Sequence, residues 1–394
     1  MNKHKQETAL SALMTAAMAL PIVAIPLQAG AEETSAPWLP VGATAGSRVL
    51  YYKESGSRIK VIEPVMWVKS PIGESWEIAT SATLDIVSGA SPIQVINQSG
   101  TPVQIKTGAS ISDHRKAGDI SIKHKWEYAS LGVSRTESSE KDYESKAVGI
   151  NATFDFNEKN TTLAVGHGLS NDRVESVSDA RLNERRDSRE YMFGLTQLLD
   201  RRSLLQTNLV HTKGSGYLSD PYKSTVTFFT SGSPILAIAK DSRPSTRDQW
   251  AWLTRYKRSL VDSGATLSAE YRYFRDDWGI RAHTVAASWQ QSMADAWKYE
   301  IGLRYYSQSA ADFYGAVIPT RPAPRIFSSD QRLAAYGALE PSIKFIYQFS
   351  EGTAIDVGLS WYRQQASWKF GSSGTSTFEP LTATMVNVGL VHRF

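Results

Sequence analysis

The residues that could do chemistry in this chain are its histidines and its charged side chains, because cysteine is absent. Without cysteine there is no thiol nucleophile, no thiolate metal site and no disulfide. A hydrolytic enzyme would need a nucleophile, a base and an orienting group, and the best candidate base is His114, beside Asp113 and Arg115. An ordinary loop histidine is the commoner interpretation of such a residue. The sequence therefore indicates a protein that is not an enzyme. No cofactor is predicted, because no cofactor-binding motif occurs.

A set of aspartates falls between the regular segments of the chain, where loops are expected. Hard cations such as Ca²⁺ take oxygen ligands from loops, so one interpretation is a cation site at the outer rim of the molecule. The other, which we favour, is that each aspartate caps a tight turn through its own backbone. The candidate ligands are Asp276, Asp277, Asp312 and Asp330.

A second charged set alternates with apolar residues at a two-residue period, which places it on one face of extended segments. If these segments form a membrane barrel, the charged face lines the lumen. Both signs occur, so many of these side chains can pair across strands. The mixture predicts a crowded or weakly selective lumen, since an ion-selective one would carry a single sign. The predicted lumen-lining residues are Lys123, Lys125, Glu127, Arg255, Glu270, Arg272, Lys298, Glu300, Arg304, Lys344 and Asp356.

The apolar faces of the same segments decide between a soluble sandwich and a membrane barrel. In the segment 296–307, Trp297, Ile301 and Leu303 share one face and Arg304 lies on the other. Such faces repeatedly begin or end in Trp or Tyr, which prefer the membrane–water boundary. We therefore expect the apolar faces to contact lipid. Five histidines fall on them, near the boundaries: His124, His167, His211, His283 and His392.

Composition agrees with a barrel in the outer membrane of a bacterium. The chain carries 43 basic and 39 acidic side chains, a formal net charge of +4. The two signs are interspersed, which argues against a nucleic-acid partner. No apolar run of about 18 residues occurs after residue 30, so helical membrane spans are excluded. Abundant aromatics in a chain without helical spans fit a closed β-barrel.

The N-terminus has the pattern of an export signal. Lys3 and Lys5 precede an apolar stretch, and the small residues Ala29 and Ala31 form a cleavage site. A single membrane anchor is the alternative. We predict a cleavable signal peptide at 1–31, a periplasmic N-terminal segment at 32–46 and an outer-membrane β-barrel at 47–394.

The C-terminus has the pattern of a membrane strand that ends in an aromatic residue. Gly389, His392 and Phe394 resemble the terminal strand that the barrel-assembly machinery of the bacterial outer membrane reads, although a larger residue is usual at the position of His392. An ordinary edge strand is the alternative. We predict that these three residues form an assembly signal.

Counting the alternating segments predicts an all-β fold, an antiparallel transmembrane β-barrel of about sixteen strands. Connections of even rank are short, whereas the long connections all have odd rank, which matches short periplasmic turns and long outer loops. Pro64 and Pro341 interrupt two segments, so fourteen or eighteen strands are alternatives. The long connections are 88–115, 171–188, 214–246, 308–332 and 366–379.

The long connection 214–246 is unusually apolar, with Phe228, Phe229, Leu236 and Ile238. Such a surface is unfavourable in water. It would be buried if the loop folded into the barrel and narrowed the lumen. A hairpin packed on a partner, and a simple extension of two neighbouring strands, are the alternatives.

Several segments in order along the chain resemble an uncharacterised family of bacterial outer-membrane barrels, known as domain of unknown function three-five-seven-zero. The resemblance implies a barrel but no activity. Genes of this family often neighbour those for a flavin-attaching transferase, a thioredoxin-like protein and a small lipoprotein, which implies an envelope redox system. The segments are 84–92, 139–143, 216–223 (GYLSDPYK), 271–280 (YRYFRDDWGI), 282–284, 304–314 and 329–333 (SDQRL).

These observations predict a channel or transport conduit for small solutes or ions in the bacterial outer membrane. The alternative is a non-conducting scaffold or anchor for an envelope complex, in which flavin or thiol redox chemistry is one option. The expected partners are outer-membrane lipid and lipopolysaccharide, the barrel-assembly machinery and envelope proteins, and no nucleic acid.

Overall fold

The structure is a computed structural model that describes residues 41–394, except 57, 90–91, 99–100, 107–110, 232, 319–324, 376–377 and 379. The predicted signal peptide 1–31 and most of the segment 32–46 lie outside the described residues. Within the described residues, no helix has the length and apolar character needed to cross a membrane.

Sixteen antiparallel strands of the described chain close into one barrel, which confirms the predicted fold class and strand number. The other five strands form a two-stranded sheet, β4–β5, and a three-stranded sheet, β13–β12–β18. In chain order the strands are β1 (Thr44–Glu54), β2 (Ile59–Ile72), β3 (Trp76–Gly89), β4 (Pro92–Gln98), β5 (Thr101–Lys106), β6 (Ile111–Lys125), β7 (Ala129–Ser139), β8 (Tyr143–Phe156), β9 (Thr161–Glu175), β10 (Asn183–Asp200), β11 (Ser203–Gly216), β12 (Ser224–Ser231), β13 (Ser233–Lys240), β14 (Thr246–Leu260), β15 (Ala265–Asp276), β16 (Arg281–Ala294), β17 (Trp297–Gln308), β18 (Val317–Ile318), β19 (Tyr336–Gln348), β20 (Thr353–Gln365) and β21 (Leu381–Arg393).

The connections alternate between the two ends of the barrel. One end has only short turns, such as 157–160 and 349–352, and the other has the long connections, including 217–245 and 309–335. We call these the turn end and the loop end. In outer-membrane barrels the turns are periplasmic and the long loops extracellular.

The connection between β11 and β14 contains a sheet of its own. Its strands β12 and β13 form an antiparallel hairpin, and β12 also pairs in parallel with β18 from the connection between β17 and β19. The hairpin is therefore not an extension of β11 and β14. The side chains of 226–238, which suggested a constriction, lie outside the described residues.

The outer wall is apolar in its middle, as the alternation predicts. On β17, Leu303 is 54% exposed and Ile301 is 48% exposed, although both are large and apolar. Val357 and Leu359 on β20 show the same pattern. Apolar side chains on the outside of a closed barrel contact lipid.

Aromatic and histidine side chains border this apolar wall at both ends. At the turn end, His124 contacts Trp76 and Trp126, with ring centroids 4.5 and 4.4 Å away. At the loop end, His211 stacks on Trp250 with centroids 4.1 Å apart. Such rings favour the membrane–water boundary. His124 and His211 thus lie at opposite ends of the apolar wall, as the sequence predicted, and their position at the membrane boundary stays a prediction.

The barrel closes where β21 pairs with β20 on one side and β1 on the other. Gly389 is paired with Asp356 and with Arg48. Above it, Arg48 Nη2 donates to Asp356 Oδ1 at 2.8 Å. A Cβ at position 389 would lie 2.7 Å from Asp356 Oδ1, so glycine is the residue that lets this ion pair cross the closing strand.

The other two residues of the predicted assembly signal lie at the turn end. His392 Nδ1 is 2.8 Å from Thr353 Oγ1, and the rings of His392 and Phe394 are 4.5 Å apart. The backbone of Phe394 bonds to Gly42 and Ala43. Recognition of these residues during assembly stays a prediction.

A pair of neighbouring substitutions tests which face contacts lipid. Leu303→Arg should lower the free energy of unfolding by about 2–4 kcal/mol, because it puts a charge near the middle of the lipid-facing wall. Arg304→Leu is the control and should cost much less. Denaturant unfolding of the folded protein in lipid measures both, and equal losses would show that the two faces are assigned wrongly.

Candidate functional site

The inner wall carries ion pairs between neighbouring strands. Arg255 Nη2 lies 2.6 Å from Glu270 Oε2, and Lys344 Nζ lies 3.2 Å from Glu300 Oε2. Arg304 Nη1 lies 3.0 Å from Glu340 Oε2. With Asp356, which pairs with Arg48 at 2.8 Å, these contacts bring six predicted lumen residues into ion pairs on the face opposite the lipid-facing side chains.

The remaining predicted lumen residues differ in their surroundings. Lys125 shares Glu77 with Lys69, at N–O distances of 2.5 and 3.1 Å. In the described part of the chain, Lys123, Arg272 and Lys298 have no carboxylate within 4.0 Å.

Glu127 requires a correction. It is exposed in the turn 126–128, because β6 ends at Lys125, and so it does not lie on the strand wall. Contact of the other residues with a passing solute stays a prediction.

Two loops meet in a buried cluster of acidic and basic side chains at the loop end. Arg243 Nε donates to Asp241 at 2.6 Å, and its Nη2 donates to Asp330 at 2.7 Å. Arg332 Nε donates to Asp330 at 2.6 Å, and its Nη2 also binds Asp220. The side chains of Asp241 and Arg243 are 0% and 2% exposed. We call these five residues the loop cap.

An apolar core supports the loop cap. Five buried residues from three connections pack together: Leu218, Trp278, Ile280, Ala311 and Leu333. The indole N–H of Trp278 donates to the carbonyl oxygen of residue 246 at 2.9 Å. Apolar burial of this kind holds the loops in one arrangement.

The loop cap rests on the inner wall of the barrel. Gln308, the last residue of β17, donates through Nε2 to the carbonyl oxygens of Arg332 at 2.9 Å and Ala334 at 2.6 Å. A cavity of about 240 Å³ lies between cap and wall, and its lining includes Arg243, Arg332 and Arg272. The cap therefore lies inside the mouth.

The pKa values of the loop-cap carboxylates depend on burial and on the neighbouring arginines. Burial by itself would raise the pKa of Asp330, but Arg332 and Arg243 outweigh it and hold that pKa well below its usual range. Burial raises the pKa of Asp241, even though Arg243 is beside it. Asp241 therefore accepts a proton before Asp330 does as the pH falls.

The favoured interpretation of these aspartates, turn capping, holds for Asp276 and Asp330, and the alternative, a cation site at Asp276, Asp277, Asp312 and Asp330, has no support among the described residues. Asp276 binds Arg247 and accepts the N–H groups of residues 278 and 280, and Asp277 accepts the N–H of residue 248. Asp330 is held in the loop cap. No group of three or more acidic or histidine side chains suited to a metal occurs among the described residues. Backbone N–H groups and arginines thus use oxygens of Asp276, Asp277 and Asp330 that a cation would need.

The candidate base His114 also requires a correction. It lies within β6, opposite Ile86 of β3, and not in a loop. The strand begins at Ile111, whereas the sequence analysis predicted a connection as far as residue 115.

The loop-cap residues that the sequence analysis did not identify are Asp241, Arg243 and Arg332. No local spacing marks them, since their partners lie far away in the chain. A signal was nevertheless present, because segments 216–223, 271–280, 304–314 and 329–333, which carry the family resemblance, all contribute to the cap or its core.

The closed barrel, its apolar outer wall and its charged inner wall define an outer-membrane β-barrel protein. The sequence matches the family described as Protein of unknown function (DUF3570) over residues 10–184 and 177–386. The chain belongs to that family, as the resemblance indicated. No curated protein sequence matches it.

Solved structures of outer-membrane barrels are similar to this chain in fold. A bacterial polysaccharide outer membrane secretin is 9% identical with a TM-score of 0.50, over 89% of this chain and 98% of that one. The CymD monoaromatic hydrocarbon channel is 9% identical, with a TM-score of 0.42, over 90% and 89%. OccK3 (OpdO) of Pseudomonas aeruginosa is 10% identical, with a TM-score of 0.42, over 89% and 95%. At these identities the likeness concerns the fold alone.

Removing one charge should loosen the loop cap and leave the barrel folded. Asp330→Asn takes away the carboxylate shared by Arg243 and Arg332, and breaking a buried pair costs about 3–5 kcal/mol. Hydrogen exchange of residues 217–222 and 327–334 should accelerate. Asp262→Asn, at an exposed turn-end position, is the control, and unchanged exchange in Asp330→Asn would contradict this account.

The loop cap should resist mild acid. A carboxylate with a lowered pKa contributes stability that is fully present above its unfolded pKa of about 4 and is lost only as the pH falls through the lower folded pKa. Protection of the cap amides should therefore persist at pH 4 and disappear below it, after correction for intrinsic exchange rates. Loss of protection between pH 7 and pH 5 would show that Asp330 does not hold the cap.

Proposed function

We propose that the protein is a conduit for small solutes or ions across the outer membrane and that the loop cap controls passage through its lumen. The observation that carries the proposal is the position of the cap. Charged loop side chains normally project into water, whereas Arg243, Asp241 and Asp330 are buried inside the mouth. Burying charges is unfavourable unless they are paired, so the loops are held there by specific contacts.

The inner wall supports passage with weak charge preference. Its positive and negative side chains neutralise each other in pairs such as Arg255–Glu270 and Lys344–Glu300. A wall of one sign would favour ions of the opposite sign. Arg272, which has no carboxylate partner among the described residues, lines the cavity beneath the cap, where an entering solute would meet it.

The proposal includes no catalytic step. His167, His211 and His283 lie on the outer wall in ring contacts with Tyr191, Trp250 and tyrosines of β15. A base on that face would meet lipid and not a solute in the lumen. Hydrolysis would need a base, a nucleophile and an orienting group close together on a surface that the substrate reaches.

Conductance across a planar lipid bilayer tests the proposal. Arg332→Gln removes the contacts to Asp220 and Asp330, so the cap should open and the single-channel conductance should rise by roughly two-fold or more, in line with a wider mouth. Arg281→Gln is the matched control, because it removes an exposed cation at the same end and should leave conductance unchanged.

The same recordings separate the conduit from the scaffold. A folded protein that conducts neither as wild type nor as Arg332→Gln would contradict the conduit and favour the non-conducting scaffold. Heat-modifiable migration on gels shows that each variant has folded as a barrel.

A further inference from the structure

A groove on the outer wall, near the loop end, has a charge pattern that the conduit does not use. It spans β7 to β11 and β14 and has a volume of about 1030 Å³. Five cations and three acids line it: Arg135, Lys146, Arg189, Lys213 and Arg247, with Asp187, Asp248 and Asp277. Arg135, Lys146, Arg189 and Lys213 are exposed on the outer wall. Arg135 is paired with Glu137 at 2.5 Å and Lys146 with Glu144 at 2.7 Å, so Arg189 and Lys213 are the cations of the groove that are less fully neutralised.

The groove lies directly beyond the membrane boundary. On β10, Phe193 and Tyr191 are exposed apolar rings, and Arg189 is the next outward residue towards the loop end. Tyr191 stacks on His167 with ring centroids 4.7 Å apart, as part of the loop-end aromatic border. One outward position further along a strand is about 7 Å. The cations therefore lie at the level of the lipid headgroups of the outer leaflet.

Two of the cations face each other without an acid between them. Arg189 is directly opposite Lys213, and like charges at such positions repel. Lys213 lies 3.8 Å from Asp248, which also binds His211. Arg189 has no carboxylate within 4.0 Å among the described residues. A bound anion would relieve the repulsion.

Apolar residues occupy the same level as the cations. Arg189 is opposite Leu169 on its other side, and Leu169 is in turn opposite Val148, which is opposite Arg135. The row thus places two exposed aliphatic side chains between cations. A phosphate joined to acyl chains matches this pattern better than a free anion does.

We propose that this groove binds lipopolysaccharide of the outer leaflet, with the phosphate groups of its lipid A held by Arg189 and Lys213. Arginine binds phosphate through paired N–H donors, and lysine adds a mobile charge. Val148 and Leu169 contact the acyl chains, and Arg135 and Lys146 border the saccharide. Asp187 in the same groove weakens the site, because it repels phosphate.

Native mass spectrometry of the full protein in detergent, titrated with bisphosphorylated lipid A, tests the proposal. The double variant Arg189→Gln/Lys213→Gln should bind lipid A about thirtyfold more weakly, since each surface cation contributes about fivefold. Asp187→Asn should bind it more tightly than the wild type. Dephosphorylated lipid A should bind the wild type as weakly as lipid A binds the double variant.

The control variant is Arg201→Gln/Arg258→Gln, which removes two exposed cations at the turn end. It should bind lipid A like the wild type. Equal lipid A affinity of the wild type and the Arg189→Gln/Lys213→Gln variant would overturn the proposal. Phosphatidylglycerol bound as tightly as lipid A would overturn it too, because the groove would then be a general anionic-lipid surface.

Discussion

Every backbone N–H and carbonyl group that enters the hydrocarbon layer must find a partner within the protein, since lipid supplies none. The pairing of β21 with β1 meets this demand, because it removes the last two edges of the sheet. Gly389 lies in that seam, and its missing Cβ leaves room for the ion pair between Arg48 and Asp356. A side chain at position 389 would collide with Asp356, so the closing strand and the ion pair could not both keep their positions.

Closure also separates two environments on one set of strands. Residues of one parity meet lipid and those of the other meet the lumen, so Leu303 and Arg304 differ in surroundings although they are adjacent. Inside, paired charges such as Arg304 and Glu340 face each other across strands. At the loop end, the loops fold back onto the inner wall. The arginine and aspartate side chains of the loop cap make with one another the hydrogen bonds that water would otherwise supply. The loop cap thus depends on closure of the barrel, because only a closed wall encloses an opening into which the loops can fold.

The strands and their faces could be predicted because they depend on a two-residue period that is local in sequence. The loop cap could not. Arg243 and Asp330 are 87 residues apart, and Arg332 and Asp220 are 112 apart, so no spacing links them. Turn capping by Asp276 and Asp330 could be predicted because it is local in sequence, whereas their pairing with Arg247 and Arg243 could not, because those arginines lie 29 and 87 residues away. Glu127 and His114 were misplaced because strand ends have weaker periodicity than strand centres.

The central claim, that the loop cap controls passage, is tested most directly by locking it. The hydroxyls of Thr225 and Ser329 lie 3.1 Å apart in a buried contact between the two loops. Because the chain has no cysteine, Thr225→Cys/Ser329→Cys would form the only disulfide. Conductance of one preparation is then recorded before and after reduction. The account predicts a low conductance in the oxidised form that rises on reduction, and equal conductance in both forms would contradict it.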